Sequence, residues 1–592
     1  MSHAPSTSAA SVRMVLLFAW LTIFGGKLTT IGSFGTDLPY WDQWAKEGEH
    51  ILIPWFKDQP FLKALFSPHN EHRIVPTLLL NLGLVVGGGQ WDARVQCLAS
   101  AAVHATLLVG VAAWLWRRTQ LPWRLGGVLI AVTIGALPLA WDNVLGGFQS
   151  QYYFLAGASL LAVERLLEAR PFSVGWWLGV GAAFLALVCM GSGLLVSMPV
   201  LLLLAVRWLR GEGRRRDHLC TAAAALSVLA VGLWLHTAAP WHETLHAKSL
   251  MELTSYLLRS MAWPLPEHPG FGLLVWGPWA AVAVRRMLGI RVAGDDVLVA
   301  GGLWILSQAA AVAYSRAGAS AMPASRYGDI SSLGLLVCYC SLAQLTAARS
   351  VRLRLGAAVV AALGAVAAMV VAVGPVWRTD LPIRKGQYWT FEDSVRRFIA
   401  DDNFAVFEKS PLPFPLADWL ARILRDPGIR AAMPASAGAS LAQADQITLG
   451  RTSGTPLSNG DWTSGPLPPV APYWRLEVAG RFNPASTSMR LLAGDGRVLR
   501  EVPLPEKIDQ RRAEIVLAAP GESSRIQLHL GADDEVILVL PRAMSRWSWW
   551  AWQLASVGRP WFCVAAIALI LGGVWSVYGR EALDTADVPS PS

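Results

Sequence analysis

The feature that most constrains this chain is repetition: apolar runs near the length of a membrane-spanning helix follow one another through most of it. They fall at 14–34, 94–116, 123–140, 152–168, 174–190, 193–209, 217–236, 270–287, 296–314, 329–347 and 354–375, with a last one at 557–577. Each approaches the ~20 residues a helix needs to cross the hydrocarbon core, so about twelve spans are expected. Composition agrees. Of 592 residues, 54% are hydrophobic and only 15% charged, a balance no water-soluble domain of this size needs.

A net charge of +9 would admit a nucleic-acid partner. The distribution of that charge argues instead for a lipid bilayer. "WRRTQLPWR", "RWLRGEGRRRDH", "VRRMLGIR" and "TAARSVRLR" are short basic clusters between apolar runs, as in cytoplasmic loops under the positive-inside rule. The other loops then lie outside, among them 35–93 and 376–555. The run at 74–90, "IVPTLLLNLGLVVGGGQ", would invert every later basic loop if it crossed; with Pro76 and a terminal "GGG" it is expected to lie in the outer interface. All six cysteines sit in apolar runs and read as small core residues rather than a disulfide framework. The first run lacks a small-residue cleavage site and reads as a retained span.

Residues 376–555 form an outer domain. Its first part, 376–435, has amphipathic helical pattern ("FEDSVRRFIADD", "PLADWLARILRDP"). A Ser/Gly/Pro/Ala-rich stretch at about 434–470 reads as a linker or irregular loop. From about 470 to 545 the chain alternates at period two between Gly, Pro and Asp turns, which predicts a small antiparallel β-sandwich. The aromatic stretch "MSRWSWWAWQLA" leads back to the membrane, and 556–592 is read as a final transmembrane helix and cytoplasmic tail. The expected fold is an α-helical polytopic membrane protein, residues 1–375, carrying an extracytoplasmic domain that contains the sandwich.

Unusual polar residues gather in the outer loops. "FGTDLPYWDQW" holds Asp37 and Asp42 among aromatic rings, and carboxylates beside lipid need a reason. Asp37, before Pro39, reads as the N-cap of a helix. Asp42 falls in its first turn, where the dipole favours negative charge. Trp41, Trp44, Ala45, Gly48, Ile51 and Leu52 would make that helix's lipid-facing stripe, with Asp42, Lys46 and Glu49 opposite. In "SPHNEHR", Ser67 and Pro68 read as a helix start, placing His69, His72 and Arg73 on one face beside Asn70 and Glu71. Later loops add Asp142, Asn143, Gln149 and Gln151, then Arg316, Arg326, Tyr327 and Asp329. Carboxylates, clustered cations and aromatic rings are what a site for a sugar and a phosphate needs. No cofactor motif is present. His69 and His72 are too few ligands to fix a metal, and a divalent ion stays an open alternative.

A first span, an acidic outer loop and an interfacial helix before "WDARVQCLASAAVHATLLVGVAAWLWRR" together resemble the GT-C superfamily of membrane glycosyltransferases. In organisation the chain is most similar to aminoarabinose transferases and protein mannosyltransferases. The resemblance covers about residues 10–375 and implies an inverting transfer from a polyprenyl-phosphate-linked sugar to a cell-envelope glycan or lipid acceptor. It implies a place in the bacterial inner membrane with the active site facing the periplasm. The family carries a catalytic Asp in the first outer loop. Asp42 in "YWDQW" matches it as general base, but Gln43 stands where Glu is usual, which leaves Asp37 as a rival. Arg73, Arg326 and His72 are then expected at the donor phosphate, and His69, Asn70, Glu71, Asn143, Gln149, Gln151 and Tyr327 at the substrate. A transporter or flippase, or a polymerase or ligase of lipid-linked sugars, is the alternative, the first because "CMGSGLLVSMP" reads as a broken helix.

Overall fold

A computed structural model describes residues 9–409, 411–438, 440–442, 446–450, 460–483, 485–504, 512–531, 533–556 and 564–569. Among them, seven helices are long and apolar enough to cross a membrane: Ala10–Phe34, Ala93–Arg118, Gly191–Leu209, Arg215–Trp234, Asp295–Arg316, Ser325–Thr346 and Val351–Asp401. The chain is therefore a helical membrane protein, with fewer clear spans than the apolar runs imply. Leu121–Ala136 and Val174–Leu187 are helices of 16 and 14 residues. Ser150–Glu168 and Pro269–Met287 have 19 residues each but carry Glu164, Arg165 and Glu168 in one and an internal Pro278 in the other. Residues 564–569 of the run at 557–577 are helical, and the rest of that run lies outside the described residues, as does most of 556–592.

The ambiguous run at 74–90 folds as Val75–Gly88, 14 residues. At 1.5 Å per residue that makes about 21 Å, well short of the ~30 Å hydrocarbon core. Gly89, at φ 69°, closes it in the left-handed conformation that favours glycine at a helix C-terminus.

The expected boundary at 376 falls inside a helix. Val351–Pro375 passes through a π-helical segment, Val376–Asp380, into Leu381–Asp401 without a break, giving 51 helical residues. One rod therefore links the bundle to the C-terminal domain.

Among the described residues the sandwich holds eight strands: β1 (Gln446–Leu449), β2 (Asp461–Thr463), β3 (Tyr473–Arg481), β4 (Ser488–Ala493), β5 (Val498–Val502), β6 (Ala513–Ala518), β7 (Ser524–His529) and β8 (Glu535–Met544). They form two antiparallel sheets, ordered β1-β8-β3-β6 and β2-β7-β4-β5. Alternating residues such as Met489 and Leu491 of β4 and Ile526 and Leu528 of β7 fill the core between them. The stretch expected to be a linker or irregular loop supplies β1 and β2.

Strand β3 departs from the period of two. Trp474, Leu476 and Val478 enter the sandwich core, yet Arg475 and Glu477 on the opposite face are also buried. What covers them is the membrane bundle. Arg475 Nη1 donates to Asp37 Oδ2 at 2.7 Å, and its Nη2 reaches Glu477 at 3.0 Å and Glu514 at 3.1 Å. Glu514 also accepts from Arg94 of helix Ala93–Arg118 and, at 3.0 Å, from Trp552 Nε1 of helix Arg546–Ser556. That last helix lies against the first span at Gly32, where a Cβ would sit 2.2 Å from the Ala555 carbonyl oxygen, so only glycine permits the approach.

Candidate active site in the outer loops

The first loop does not present an apolar stripe to lipid. Its helix, Gln43–Leu52, is a π-helix wrapped by protein. Trp44 is fully buried, edge-on to Trp91 at 5.0 Å, with its Nε1 donating to the Pro39 carbonyl. A Cβ on Gly48 would lie 2.9 Å from Trp91. Lys46, expected on an open polar face, is buried and donates to the Ala64 and Ser67 carbonyl oxygens and the Ser67 hydroxyl. Glu47 is likewise buried, accepting from Asn81, Trp91, Gln96 and Gln43. Burial pushes its carboxyl up, against those hydrogen bonds.

Asp37 does not cap this helix. Its carboxylate takes Arg475 and the Ser436 N–H at 3.2 Å, 1% exposed. Asp42 differs in every respect. It occupies the N-cap position, but its side chain makes no capping hydrogen bond. Its carboxylate is 37% exposed, and its one ion-pair partner among the described residues is His69, whose Nε2 stands 3.2 Å away. The preceding residue, Trp41, holds φ 54°, left-handed and uncommon for a bulky side chain, with its N–H tied to the Pro413 carbonyl at 2.7 Å. Strain of this kind costs about 1–3 kcal/mol and concentrates where side chains must be aimed.

"SPHNEHR" is a tight turn, not a helix start. His69 and His72 exchange two backbone hydrogen bonds, 2.7 and 3.0 Å, with Asn70 at φ 52° between them. The turn splits the residues expected to act together. His69 packs edge-on to Phe148 at 5.7 Å, facing Asp42. Glu71 accepts from His242, Asn70 accepts from Trp241 at 3.3 Å, and Arg73 donates to the Phe66 and Leu235 carbonyls. Those three residues clamp the first loop onto the segment after Arg215–Trp234. His72 is half-buried, with Nδ1 accepting from the Gly191 N–H at 3.2 Å. Burial brings its pKa down to about 4, with Glu71 opposing and Arg316 reinforcing, so it stands as a neutral acceptor and not as a cation for phosphate.

The later loops meet one another around Tyr152. Its phenol lies within electrostatic reach of Tyr327, Arg326, Arg316 and Asp142, and its ring is 6.5 Å from that of Tyr327. Arg326 lies over the Tyr327 ring at 5.1 Å and has no carboxylate within ion-pair distance among the described residues. Asn143 donates to the Arg326 carbonyl at 2.7 Å and to Asp329 at 2.8 Å, so it holds the Arg326 turn in place rather than facing a ligand. Gln149 and Gln151 pair with each other at 3.3 Å at the start of Ser150–Glu168.

Two further features were missed in the sequence. Arg384, on the long rod, is enclosed by Tyr40 and Trp141, each 4.9 Å from it, and by Tyr388; it donates to the Tyr40 hydroxyl at 2.7 Å and to Asp142 at 3.4 Å. Its signal was an arginine in a Tyr/Trp-rich helical stretch, "RKGQYW", which also fits an ordinary interfacial anchor. The second is a buried polar cluster of Lys27, His104, Tyr153 and Asp329 among the helices, with His104 stacked on Tyr153 at 4.1 Å and 3.8 Å from Asp329. No group of three or more metal-ligating side chains occurs among the described residues. Comparison with protein-family models and with curated proteins finds no match.

Proposed function

We propose that the chain is a GT-C-type glycosyltransferase, moving a sugar from a polyprenyl-phosphate donor to an extracytoplasmic glycan or lipid acceptor with inversion. The observation that carries this reading is the contrast between the two first-loop carboxylates. Asp37 is locked to an arginine, whereas Asp42 is about one-third exposed, follows a strained residue and, among the described residues, pairs with an imidazole alone. In the reaction the acceptor hydroxyl attacks the anomeric carbon and gives its proton to Asp42. The carbon–oxygen bond to the carrier breaks, and the polyprenyl phosphate leaves as an anion. Arg326 and Arg316 would neutralise it, Arg326 offering a planar fork to phosphate oxygens. Arg73 and His72 drop out of that role, the first spent on carbonyls and the second uncharged. On this reading the site faces the periplasm of a bacterial inner membrane, and the donor's lipid tail explains a catalytic site beside the bilayer.

The test is the surface glycan of a strain lacking the chain, read by mass spectrometry. A missing sugar supports transfer; an unchanged glycan sinks the reading.

A transporter of lipid-linked sugar is the second reading, favoured by one observation. Helix Val174–Leu187 stops and a 3₁₀ segment, Gly191–Val196, intervenes before Ser197–Leu209, while Lys27 and Asp329 are buried elsewhere among the helices. Accumulation of a complete lipid-linked intermediate in the same strain would select it.

A further inference from the structure

A cavity of about 190 Å³ opens where the sandwich, the long rod and the first span meet. Lys385, Trp389, Glu477, Arg512, Glu514 and Trp552 line it. It is separate from the Asp42 loop and belongs to no step proposed above. We infer that it is a saccharide subsite, taking one uncharged pyranose unit of the glycan acceptor. The inference deepens the proposed transfer reaction and rests on it for the name of acceptor.

Three observations choose the ligand. The first is an unmet acceptor: Glu477 is 3% exposed, and among the described residues its Oε2 accepts no hydrogen bond. Arg512 and Arg396 stand 3.6 and 3.9 Å from that oxygen. They balance its charge without hydrogen-bonding it, so what the site calls for is a neutral donor such as a hydroxyl. The second is the exclusion of anions. Lys385 and Arg512 offset Glu477 and Glu514 in the lining, and both cations are engaged, Lys385 with the Ser33 carbonyl and Arg512 with Asp393, which leaves a free phosphate or an acidic headgroup no uncommitted cation to bind. The third is the walls, where Trp389 and Trp552 offer indole surface to the C–H faces of a sugar ring. Size sets the number of units, because the space lies below the ~300–1,000 Å³ of drug-sized sites. One ring fits.

The experiment is saturation-transfer NMR on the full chain in nanodiscs, with a panel of methyl glycopyranosides as probes and dihexanoyl-phosphatidylglycerol as the lipid control. At least one glycoside should bind wild type and bind about tenfold more weakly to Trp389→Ala, the loss of one aromatic contact. Glu477→Gln should weaken the same glycoside. Trp389 lies outside the ion-pair network, so its variant stays informative should Glu477→Gln fail to fold. The subsite is overturned if no glycoside binds, if only the lipid binds, or if Trp389→Ala binds as wild type does. Asp42→Asn separates the two readings: glycoside binding that survives it while sugar transfer collapses upholds both, and binding that survives alongside wild-type transfer upholds the subsite and sinks the catalytic role of Asp42. Transfer whose acceptor KM is unmoved by Trp389→Ala sinks the subsite alone.

Discussion

Asp42 holds its carboxylate 3.2 Å from Nε2 of His69, across a gap between the start of a π-helix and a four-residue turn. An imidazole in that place can orient a carboxylate without neutralising it permanently, as a guanidinium would. Asp42→Asn removes the proton acceptor and keeps the shape. Sugar transfer should fall by ~10²–10⁴-fold, the usual contribution of a positioned base, with expression and donor binding unchanged. A variant with wild-type turnover would end the assignment.

Asp37→Asn should behave in the opposite manner. The substitution leaves Arg475 buried beside a neutral amide, and breaking a buried pair costs about 3–5 kcal/mol. The expected result is a lower unfolding temperature and faster proteolytic release of the sandwich, with residual transfer in whatever remains folded. A variant as stable as wild type would mean that the pair does not hold the domain.

Arg326→Lys keeps the charge and loses the fork. Its effect should fall on the donor: KM for the polyprenyl-phosphate sugar should rise about tenfold or more, with smaller change in acceptor KM. An unaltered donor KM removes Arg326 from the phosphate site and leaves Arg316 as the alternative.

The junction should also respond to acid. Burial would push the Glu514 carboxyl up, but Arg475 and Arg94 draw it down to about 2. A carboxyl whose folded pKa lies below its unfolded value of 4.5 adds stability that is full above that value. That contribution is lost as pH falls from there towards 2. Thermal unfolding followed against pH should show the loss, and Glu514→Gln should flatten it. A wild-type profile that stays level through this window would contradict the ion-pair account.

Much of the architecture was legible because it rests on local periodicity. The sandwich strands β3 to β8 announce themselves by alternation, and Val75–Gly88 by its proline, glycines and length. β1 and β2 were hidden because three- and four-residue strands among Ser, Gly and Pro carry no period; they exist only because β7 and β8 offer edges to pair with. The stripe on Gln43–Leu52 was read correctly as apolar and wrongly as lipid-facing, since sequence shows what a face is made of and not what covers it. Asp37 and Asp42 look alike in "TDLPYWDQW". Only a partner far along the chain makes one of them structural. The turn at 69–72 defeated a helix reading because an N-cap signal, Ser-Pro, was overridden by the left-handed Asn70.

The order of synthesis gives the Asp37–Arg475 contact a meaning in time. The two residues are 438 positions apart. At ~5–20 residues per second, the first-loop carboxylate leaves the ribosome roughly 20–90 seconds before the guanidinium that will cover it. Through that interval the outer loop carries a charge made for burial with nothing to bury it against. Its burial cannot be completed until β3 arrives. A nascent chain cut short anywhere before β3 would therefore display an open acidic loop at the membrane surface, a mark by which quality-control proteases could tell an unfinished molecule from a finished one.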